Sequence, residues 1–302
     1  MPWSRIMSAI VAIIVALASV IAGGWYFTVG FMVIVFLGQR EYFNLVRAKG
    51  IEPAVKTTLI LSQLLILTAI LAPSLTDALP PITGILLCCY LLFQPKIATI
   101  ADMSTSILGL FYGGWLPTYW IRLRVNLDFP AGILIASDPV HPPILQLENT
   151  AAWWEELTHP DRFSPALSVT ILAFFCIWAA DIGAYLIGKF FGRTRLTLIS
   201  PKKTVEGAVF GILGSTLVGL GGAHALHWHS WMITGAILGL LIGFVSLAGD
   251  LTESLMKRDA GLKDSGHLIP GHGGILDRTD SYIFTAPLVY YFVTLFLPLF
   301  PY

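Results

Sequence analysis

The sequence predicts an all-α, polytopic membrane protein with about nine transmembrane helices and a cytoplasmic N-terminus. Of its 302 residues, 56% are hydrophobic and only 12% are charged, which is about half the charged fraction of a typical soluble domain. The mean hydropathy is +0.76. Uncharged apolar runs recur along the whole chain, and a helix needs about 20 apolar residues to cross a bilayer.

Nine apolar windows are candidate spans. In chain order they are Ile6–Ala22, Trp25–Leu37, Thr57–Ala72, Pro80–Phe93, Ser104–Ile121, Pro165–Ile187, Val205–Leu226, Trp231–Ala248 and Tyr282–Pro301. The second and fourth windows are short for a full span. The first window has the features of a cleaved signal peptide, since Arg5 precedes it. The eight further windows favour a retained helix.

The distribution of basic residues predicts the orientation. With the N-terminus in the cytoplasm, all of the 18 Lys and Arg residues except Arg122, Arg124 and Arg162 fall on inner segments. Cytoplasmic segments of membrane proteins are enriched in Lys and Arg. One missed or additional span would destroy this asymmetry, so the asymmetry also supports the count of nine.

The longest extramembrane segment, Arg122–Ser164, divides the chain into two regions. Residues 1–164 hold the N-terminal helices and this outer segment, and residues 165–302 hold the C-terminal helices. The outer segment contains "NTAAWWEELTHPDRF", a pattern compatible with an interfacial amphipathic helix. An insertion without a catalytic role is the simpler interpretation.

The composition argues against several classes of function. The 18 acidic and 18 basic residues cancel, which gives no support to nucleic-acid binding. The three cysteines, Cys88, Cys89 and Cys176, lie inside apolar runs and indicate neither a disulfide framework nor a zinc site. The sequence contains no GxxxxGK[ST] phosphate loop and no GxSxG nucleophile elbow.

A first polar cluster reads "ADIGAYLIGKFFGRTRLTLISPKKTVEG". Asp181 lies within an apolar helix, where a carboxylate usually marks a functional site. The alternative is a structural hydrogen bond to Tyr185 or to a neighbouring helix. The small residues Gly183, Ala184 and Gly188 are spaced for close helix packing.

The end of this cluster has the pattern of a helix start. Ser200 is expected to cap the helix, with Pro201 at its first position and Glu206 near its N-terminal end. Lys202 and Lys203, beside Thr204, would bind phosphate at that helix start. Anchoring on the cytoplasmic side is the alternative role of the two lysines.

A second polar cluster follows the eighth window and contains "SLAGDLTESLMKRDAGLKDSGHLIPGHGGILDRTDS". Asp277 and Asp280 are three residues apart, so on a helix both carboxylates share one face. With Asp250 from the preceding helix, they are expected to bind Mg²⁺ through oxygen ligands. Arg278 is suited to neutralise phosphate beside them.

Other residues of the second cluster have alternative interpretations. Glu253 and Lys257 are one turn apart and suggest an ordinary surface pair. Gly271, Gly273 and Gly274 would let the backbone approach a ligand closely. His267 and His272 alone do not make a zinc site, because a third His or Cys is missing nearby.

The segment Ser254–Asp280, "SLMKRDAGLKDSGHLIPGHGGILDRTD", resembles the signature of the phosphatidate cytidylyltransferases, or CDP-diacylglycerol synthases. "DIGAYLIGKFFG" and "SPKKTVEG" resemble a second stretch of that family, and "REYFNL" and "GLFYGGW" are weaker similarities. The resemblance is strong over the C-terminal half and general over the N-terminal half. The length of the outer segment departs from the family pattern.

The resemblance implies that CTP and phosphatidic acid react, with Mg²⁺, to give CDP-diacylglycerol and pyrophosphate. It also implies a homodimer in a bacterial-type inner membrane, with the active site on the cytoplasmic side. The implied metal ligands are Asp250, Asp277 and Asp280. The implied catalytic residues are Asp277, Lys257, Arg258, Lys263, Asp264, His272 and Arg278. The implied substrate-binding residues are Asp181, Ser200, Lys202, Lys203, Thr204 and Glu206.

Two other functions remain open at this point. A CTP-dependent polyprenol or phytol kinase would transfer the γ-phosphoryl group to an alcohol and release CDP. An ion-coupled transporter would use Asp181 and Asp250 as ion sites within its helices. The long signature favours the cytidylyltransferase over the kinase. The gathering of polar residues at one membrane face, without an inverted repeat, argues against the transporter.

Overall fold

The computed structural model of the protein describes residues 14–125, 164–266, 268 and 273–300. Within these ranges the chain is helical apart from its loops, and an isolated antiparallel bridge pairs Arg195 with Thr204. The predicted all-α class is therefore confirmed. Expectations on residues 1–13, on most of the outer segment, and on His267 and His272 lie outside the described residues.

The helices before the outer segment are α1 (residues 14–22), α2 (Gly24–Ala48), α3 (Val55–Leu71), α4 (Leu79–Leu92), α5 (Ile100–Leu110) and α6 (Leu116–Val125). A π-helical turn, Phe111–Trp115, joins α5 to α6 without a break. The helices after the segment are α7 (Pro165–Phe191), α8 (Val205–Ala225), α9 (Trp231–Asp259) and α10 (Leu276–Tyr291). A π turn (Phe292–Phe296) and a 3₁₀ turn (Leu297–Leu299) extend α10.

Every apolar window within the described residues coincides with a helix. By length and composition, five helical segments among the described residues can cross a membrane, and α3 and α4 are shorter apolar helices. Large apolar side chains such as Phe175, Leu186 and Phe190 are exposed on the outward face of α7. An outward apolar face of this kind is suited to lipid, and the chain is a multi-pass membrane protein.

Helix α9 is longer than its apolar window. The window ends at Ala248, but the helix continues to Asp259. No glycine or proline interrupts the charged stretch before Gly261, so the helix extends without a break. Asp250, expected at the end of the helix, therefore lies inside it, and the next two turns carry Glu253 and Lys257.

Helices α7, α8 and α9 pack closely through small residues. A side chain at Gly183 would meet the backbone of Phe210 and Gly211, and one at Gly239 would meet the backbone of Ser215 and Thr216. Close backbone approach at glycine is a common way for membrane helices to associate, because lipid removes the hydrophobic drive between helices. The packing role expected of Gly183 is confirmed.

The C-terminal end of α6 differs from the sequence-based expectation. Arg122 and Arg124 were assigned to the outer segment, but α6 continues through both, and both are buried. Arg122 donates to both oxygens of Asp77 at 2.7 and 3.0 Å. Arg124 donates to the carbonyls of Val20 and Ile21 at 2.7 and 2.9 Å. Each buried guanidinium thus finds hydrogen-bond acceptors, and the helix gains a turn.

The glycine packing leads to a stability prediction. Gly239→Ala should lower the thermal stability of the detergent-solubilised protein, because its methyl group overlaps the backbone of α8. Overpacking of this kind costs about 1–3 kcal/mol. Gly221→Ala on α8 is the matched control, since nothing lies within contact of its methyl group. Equal melting temperatures for the two variants would contradict the packing argument.

Candidate active site

A cavity of about 660 Å³ lies between α7, α8, α9 and α10, at the end of the bundle where α7 ends and α8 begins. The cavity is lined by residues from both polar clusters that the sequence singled out. The predicted site residues in its wall are Asp181, Ser200, Lys202, Lys203, Thr204, Asp250, Lys257, Asp264, Asp277, Arg278 and Asp280. The fold thus brings together two clusters that are separated in the chain by most of α8 and the first part of α9.

Three carboxylates meet where α9 faces α10. One oxygen from each of Asp250, Glu253 and Asp280 lies within 4.8 Å of the others. The two helices approach closely at Gly249, where a side chain would meet the carbonyl of Asp280. Glu253 is completely buried and Asp280 is nearly so. The missing side chain at Gly249 is therefore what allows the carboxylates of the two helices to converge.

Two lysines contact this cluster without balancing its charge. Lys203 forms an ion pair with Asp250. Lys257 pairs with Glu253 and also with Asp277, at 2.6 Å from the Asp277 Oδ1 atom. One of the two cations is therefore shared with a carboxylate outside the cluster. Since an uncompensated buried anion is costly, the cluster favours an additional cation.

The cluster fits a divalent cation such as Mg²⁺. Mg²⁺ prefers oxygen ligands and is usually bound by one or two carboxylates together with substrate phosphates. The Oε1 atom of Glu253 is buried and makes no hydrogen bond within the described part of the chain. A buried acceptor of this kind suits a metal ion. Asp250, Glu253 and Asp280 are the residues that could hold it.

The carboxylate of Asp277 has different partners. Its Oδ1 atom accepts from Lys257, and its Oδ2 atom accepts from the backbone amides of Ser265 and Gly274 at 3.0 and 2.8 Å. The hydroxyl of Ser265 lies at 3.0 Å from the same oxygen. Asp277 and Asp280 share the first turns of α10, but Asp277 holds the preceding loop and Lys257. Only Asp280 joins the three-carboxylate cluster.

The segment between α7 and α8 is a hairpin-like loop that lies against the cavity. The backbone of Leu196 donates to the carbonyl of Lys203 at 2.9 Å, next to the bridge of Arg195 with Thr204. This pairing presents Lys202 and Lys203 to the cavity. The carboxylate of Glu206 accepts from the backbone amides of Arg193 and Thr194 at 3.1–3.2 Å. Glu206 therefore fixes the loop and does not line the cavity.

The start of α8 differs from the expectation. The capping residue is Thr204, whose hydroxyl accepts from the backbone amide of Gly207 at 3.1 Å. Ser200 was expected to cap the helix, but its carbonyl accepts from the amide of Lys203 in a turn four residues earlier. The bridge to Arg195 keeps Thr204 extended, so the helix begins only at Val205.

Asp181 lies across the cavity, midway along α7. Its carboxylate is 3.5 Å from the hydroxyl of Ser246 on α9. Tyr185, the other partner considered for Asp181, contacts the ammonium of Lys189 at 3.4 Å. Asp181 is exposed on the side of α7 that lines the cavity, together with Ala184 and Gly188. Its carboxylate is therefore accessible from the cavity.

Besides Glu206, two predicted residues in the described part of the chain are not part of the cavity wall. Arg258 donates to the carbonyls of Ile199 and Leu262 at 3.3 and 3.1 Å, and so connects the two loops behind the cavity. Lys263 is exposed. His272 lies outside the described residues.

Two acidic residues were missed as site residues by the sequence reasoning. Glu253 was interpreted as part of a surface pair, but it is buried in the carboxylate cluster. Its signal was the spacing of three residues from Asp250, which places both on one helix face once the helix is known to continue. The other is Glu41 of α2, which contacts the loop before α10. Its only signal was the "REYFNL" similarity.

The fold and the site together define a multi-pass membrane protein with a carboxylate cluster and several cations in one cavity. The model of the cytidylyltransferase family matches residues 3–296. A phosphatidate cytidylyltransferase of Synechocystis is 62% identical over 298 residues, which is 99% of this chain and 98% of that protein. The chain belongs to the cytidylyltransferase family.

Two further relatives are less similar to the chain. The chloroplastic phosphatidate cytidylyltransferase 4 of Arabidopsis thaliana is 42% identical over 288 residues, covering 93% of this chain and 70% of that protein. A phosphatidate cytidylyltransferase of Staphylococcus aureus is 42% identical over 129 residues, or 42% of this chain and 49% of that protein.

The three-carboxylate cluster leads to a prediction on metal binding. Glu253→Gln should weaken binding of Mn²⁺, used as a spectroscopic substitute for Mg²⁺, by at least tenfold, because one anionic ligand is lost while the shape is kept. Asp259→Asn is the matched control, since Asp259 ends the same helix but is exposed and pairs with Lys49. Mn²⁺ titration by electron paramagnetic resonance measures both. Unchanged binding in Glu253→Gln would remove Glu253 from the metal site.

Proposed function

We propose that the protein transfers the cytidylyl group of CTP to phosphatidic acid, forming CDP-diacylglycerol and pyrophosphate as a nucleotidyltransferase of phospholipid biosynthesis. The observation that carries the proposal is the convergence of Asp250, Glu253 and Asp280 with Lys203 and Lys257 in one cavity between membrane helices. The Synechocystis relative, which bears the name of this activity, matches the chain over nearly its whole length.

The cavity suits two substrates of different polarity. Its volume of about 660 Å³ lies within the range of about 300–1,000 Å³ that is usual for small-molecule sites. One part of its wall is small and apolar, with Ala184, Ala208 and Leu247, and the other carries the charged side chains. This arrangement supports a lipid phosphate that arrives from the membrane and a nucleotide that arrives from water.

Mg²⁺ is part of the proposal. Asp250, Glu253 and Asp280 would hold it, and when bound it would neutralise charge on the CTP phosphates. The carboxylate of Asp277, which was also expected among the ligands, instead accepts hydrogen bonds from Lys257 and from the loop before α10. We therefore assign Asp277 to the orientation of Lys257.

The reaction needs cations more than it needs a strong base. An oxygen of the phosphatidate phosphate forms a bond to the α-phosphorus of CTP, and the bond from that phosphorus to the oxygen of the departing pyrophosphate breaks. A phosphate monoester is already largely ionised near neutral pH. Lys202, Lys203, Lys257 and Arg278 line the cavity. They would draw both anions together and stabilise the charge on the leaving pyrophosphate.

The arrangement in the membrane extends the proposal. We infer nine spans, a cytoplasmic N-terminus and a cytoplasmic-side active site in a bacterial-type inner membrane. The distribution of Lys and Arg supports this orientation. So does the pairing of Arg122, on the last turns of α6, with Asp77 of the segment between α3 and α4, since both would lie on the outer side. The homodimer and the separate catalytic region 165–302 rest on the family resemblance and on the position of the cavity.

The orientation can be tested at the two ends of α3. In a background with Cys88 and Cys89 replaced by Ser and Cys176 by Ala, Glu52→Cys should be protected from a membrane-impermeant maleimide in intact cells. Ser74→Cys should be labelled, because Ser74 is exposed on the outer side of the proposed arrangement. Labelling after cell lysis shows that both sites are reactive. The reverse pattern in intact cells would invert the proposed topology.

The activity is tested with the detergent-purified protein. Pyrophosphate release should require CTP, phosphatidic acid and Mg²⁺ together. Lys203→Ala should lower the rate about 100-fold or more, the usual effect of removing one group that stabilises transition-state charge. Lys96→Ala is the matched control, because Lys96 is exposed and pairs only with Glu52 among the described residues.

Each alternative function has its own outcome in this assay. Formation of CDP with a lipid alcohol, without pyrophosphate release from phosphatidic acid, would identify a lipid kinase. A folded protein that is inactive in both reactions would favour the transporter.

A further inference from the structure

The carboxylate of Glu41 reaches from α2, in the N-terminal part of the chain, to the start of α10. Its Oε1 atom accepts from the backbone amide of Ile275 at 3.1 Å, and its Oε2 atom accepts from the amide of Leu276 at 2.8 Å. The hydroxyl of Ser265 lies 3.0 Å from Oε2. Glu41 is only 7% exposed, so a helix otherwise remote from the cavity places a buried anion against the loop that borders it.

These contacts replace a local helix cap. The first amides of a helix have no partner within the helix and need acceptors from elsewhere. Ile275, at the capping position of α10, has an apolar side chain and provides none. Glu41 accepts from the amides of Ile275 and Leu276, and Asp277 accepts from that of Gly274. A negative charge is also favoured at this end of the helix dipole.

The loop sequence fits around the Glu41 carboxylate. A side chain at Gly266 or Gly274 would meet the carboxylate of Glu41. The Oγ atom of Ser265 lies at 3.0 Å from both Glu41 and Asp277. The hydroxyl of Ser265 can therefore donate to either carboxylate. The close approach of Gly274 is to Glu41, which explains one of the glycines that the sequence attributed to ligand binding.

We propose that Glu41 is a positioning residue of the active site. By fixing where α10 begins, Glu41 sets the position of the first two turns along the helix axis and their rotation about it. These turns carry Asp277 and Asp280. The position of Asp280 relative to Asp250 and Glu253 then depends on Glu41. This inference rests on the proposed function for its kinetic consequence, but its structural consequence is independent of the reaction catalysed.

A displaced α10 should change how the reaction rate depends on Mg²⁺. If Asp280 is displaced, the carboxylate cluster binds a divalent cation less well, so the concentration of Mg²⁺ needed for half-maximal rate should rise. The KM for CTP at saturating Mg²⁺ should change less, because Lys202 and Lys203 are on a different loop. A purely structural loss would lower the amount of folded protein without this change in Mg²⁺ dependence.

The central variant is Glu41→Gln, which keeps the side-chain shape but presents an amide NH₂ group to backbone donors. We expect kcat to fall about 10- to 100-fold, the size of effect known for residues that orient metal ligands. The Mg²⁺ concentration for half-maximal rate and the Kd for Mn²⁺ should rise at least threefold. Hydrogen exchange at Ile275 and Leu276 should become faster. Glu41→Asp, which retains the charge, should recover part of each change.

The matched control is Glu52→Gln, also in the N-terminal part, where the carboxylate is exposed and pairs with Lys96. It should behave as wild type in every measurement. A double-mutant cycle with Ser265→Ala should be non-additive, because both residues belong to one hydrogen-bonded network.

Several outcomes would overturn the inference. One such outcome is that Glu41→Gln matches Glu52→Gln in hydrogen exchange at Ile275 and Leu276, in Mn²⁺ affinity and in Mg²⁺ dependence. It would show that Glu41 does not position α10. If Glu41→Gln does not fold, Glu41→Asp replaces it, because its shorter side chain cannot reach both amides in the same way. Exchange and Mn²⁺ binding in Glu41→Asp equal to those of Glu52→Gln would then overturn the inference. If the wild type itself releases no pyrophosphate, the proposed function fails, while exchange and Mn²⁺ binding still decide the role of Glu41.

Discussion

The constraint on which the site depends is the burial of two carboxylates, Glu253 and Asp280, beside the half-buried Asp250 between apolar helices. Asp250, Glu253 and Asp280 converge because α9 and α10 touch at Gly249. Ionised groups inside a membrane protein are costly and are retained where they pair or bind a cation. Lys203, Lys257 and the first turns of α10 are all arranged around this cluster, as expected if its charge is the main electrostatic demand of the region.

Two networks hold the cluster in place. On one side, Glu206 fixes the loop that carries Lys202 and Lys203 through the amides of Arg193 and Thr194. On the other side, Glu41 accepts from the amide of Leu276, the first residue of α10, and Asp277 accepts from the amide of Gly274 in the preceding loop. Hydrogen bonds from charged groups are stronger than those between neutral groups, and they weaken little in a water-poor interior. The polar loops can therefore be well ordered although few apolar contacts stabilise them.

The sequence predicted more of the architecture than of the side-chain arrangement. Each apolar window within the described residues became a helix, because hydrophobicity and chain length are local properties. Both polar clusters line one cavity, which was foreseen from their shared side of the membrane. The outer end was not foreseen: Arg122 and Arg124 extend α6 because Asp77 and the carbonyls of α1 accept their hydrogen bonds, and those partners are distant in sequence.

By itself, the sequence determined the class of the protein, its helices, its family signature and the residue types that gather at one membrane face. Only the tertiary structure decided how those residues divide their roles. Whether Glu253 or Asp277 joins the carboxylate cluster depends on the rotation of α9 and α10 about their axes. Whether Glu41 contributes depends on the packing of α2 beside α10. Both are set by contacts between helices, and spacing along one helix does not encode them.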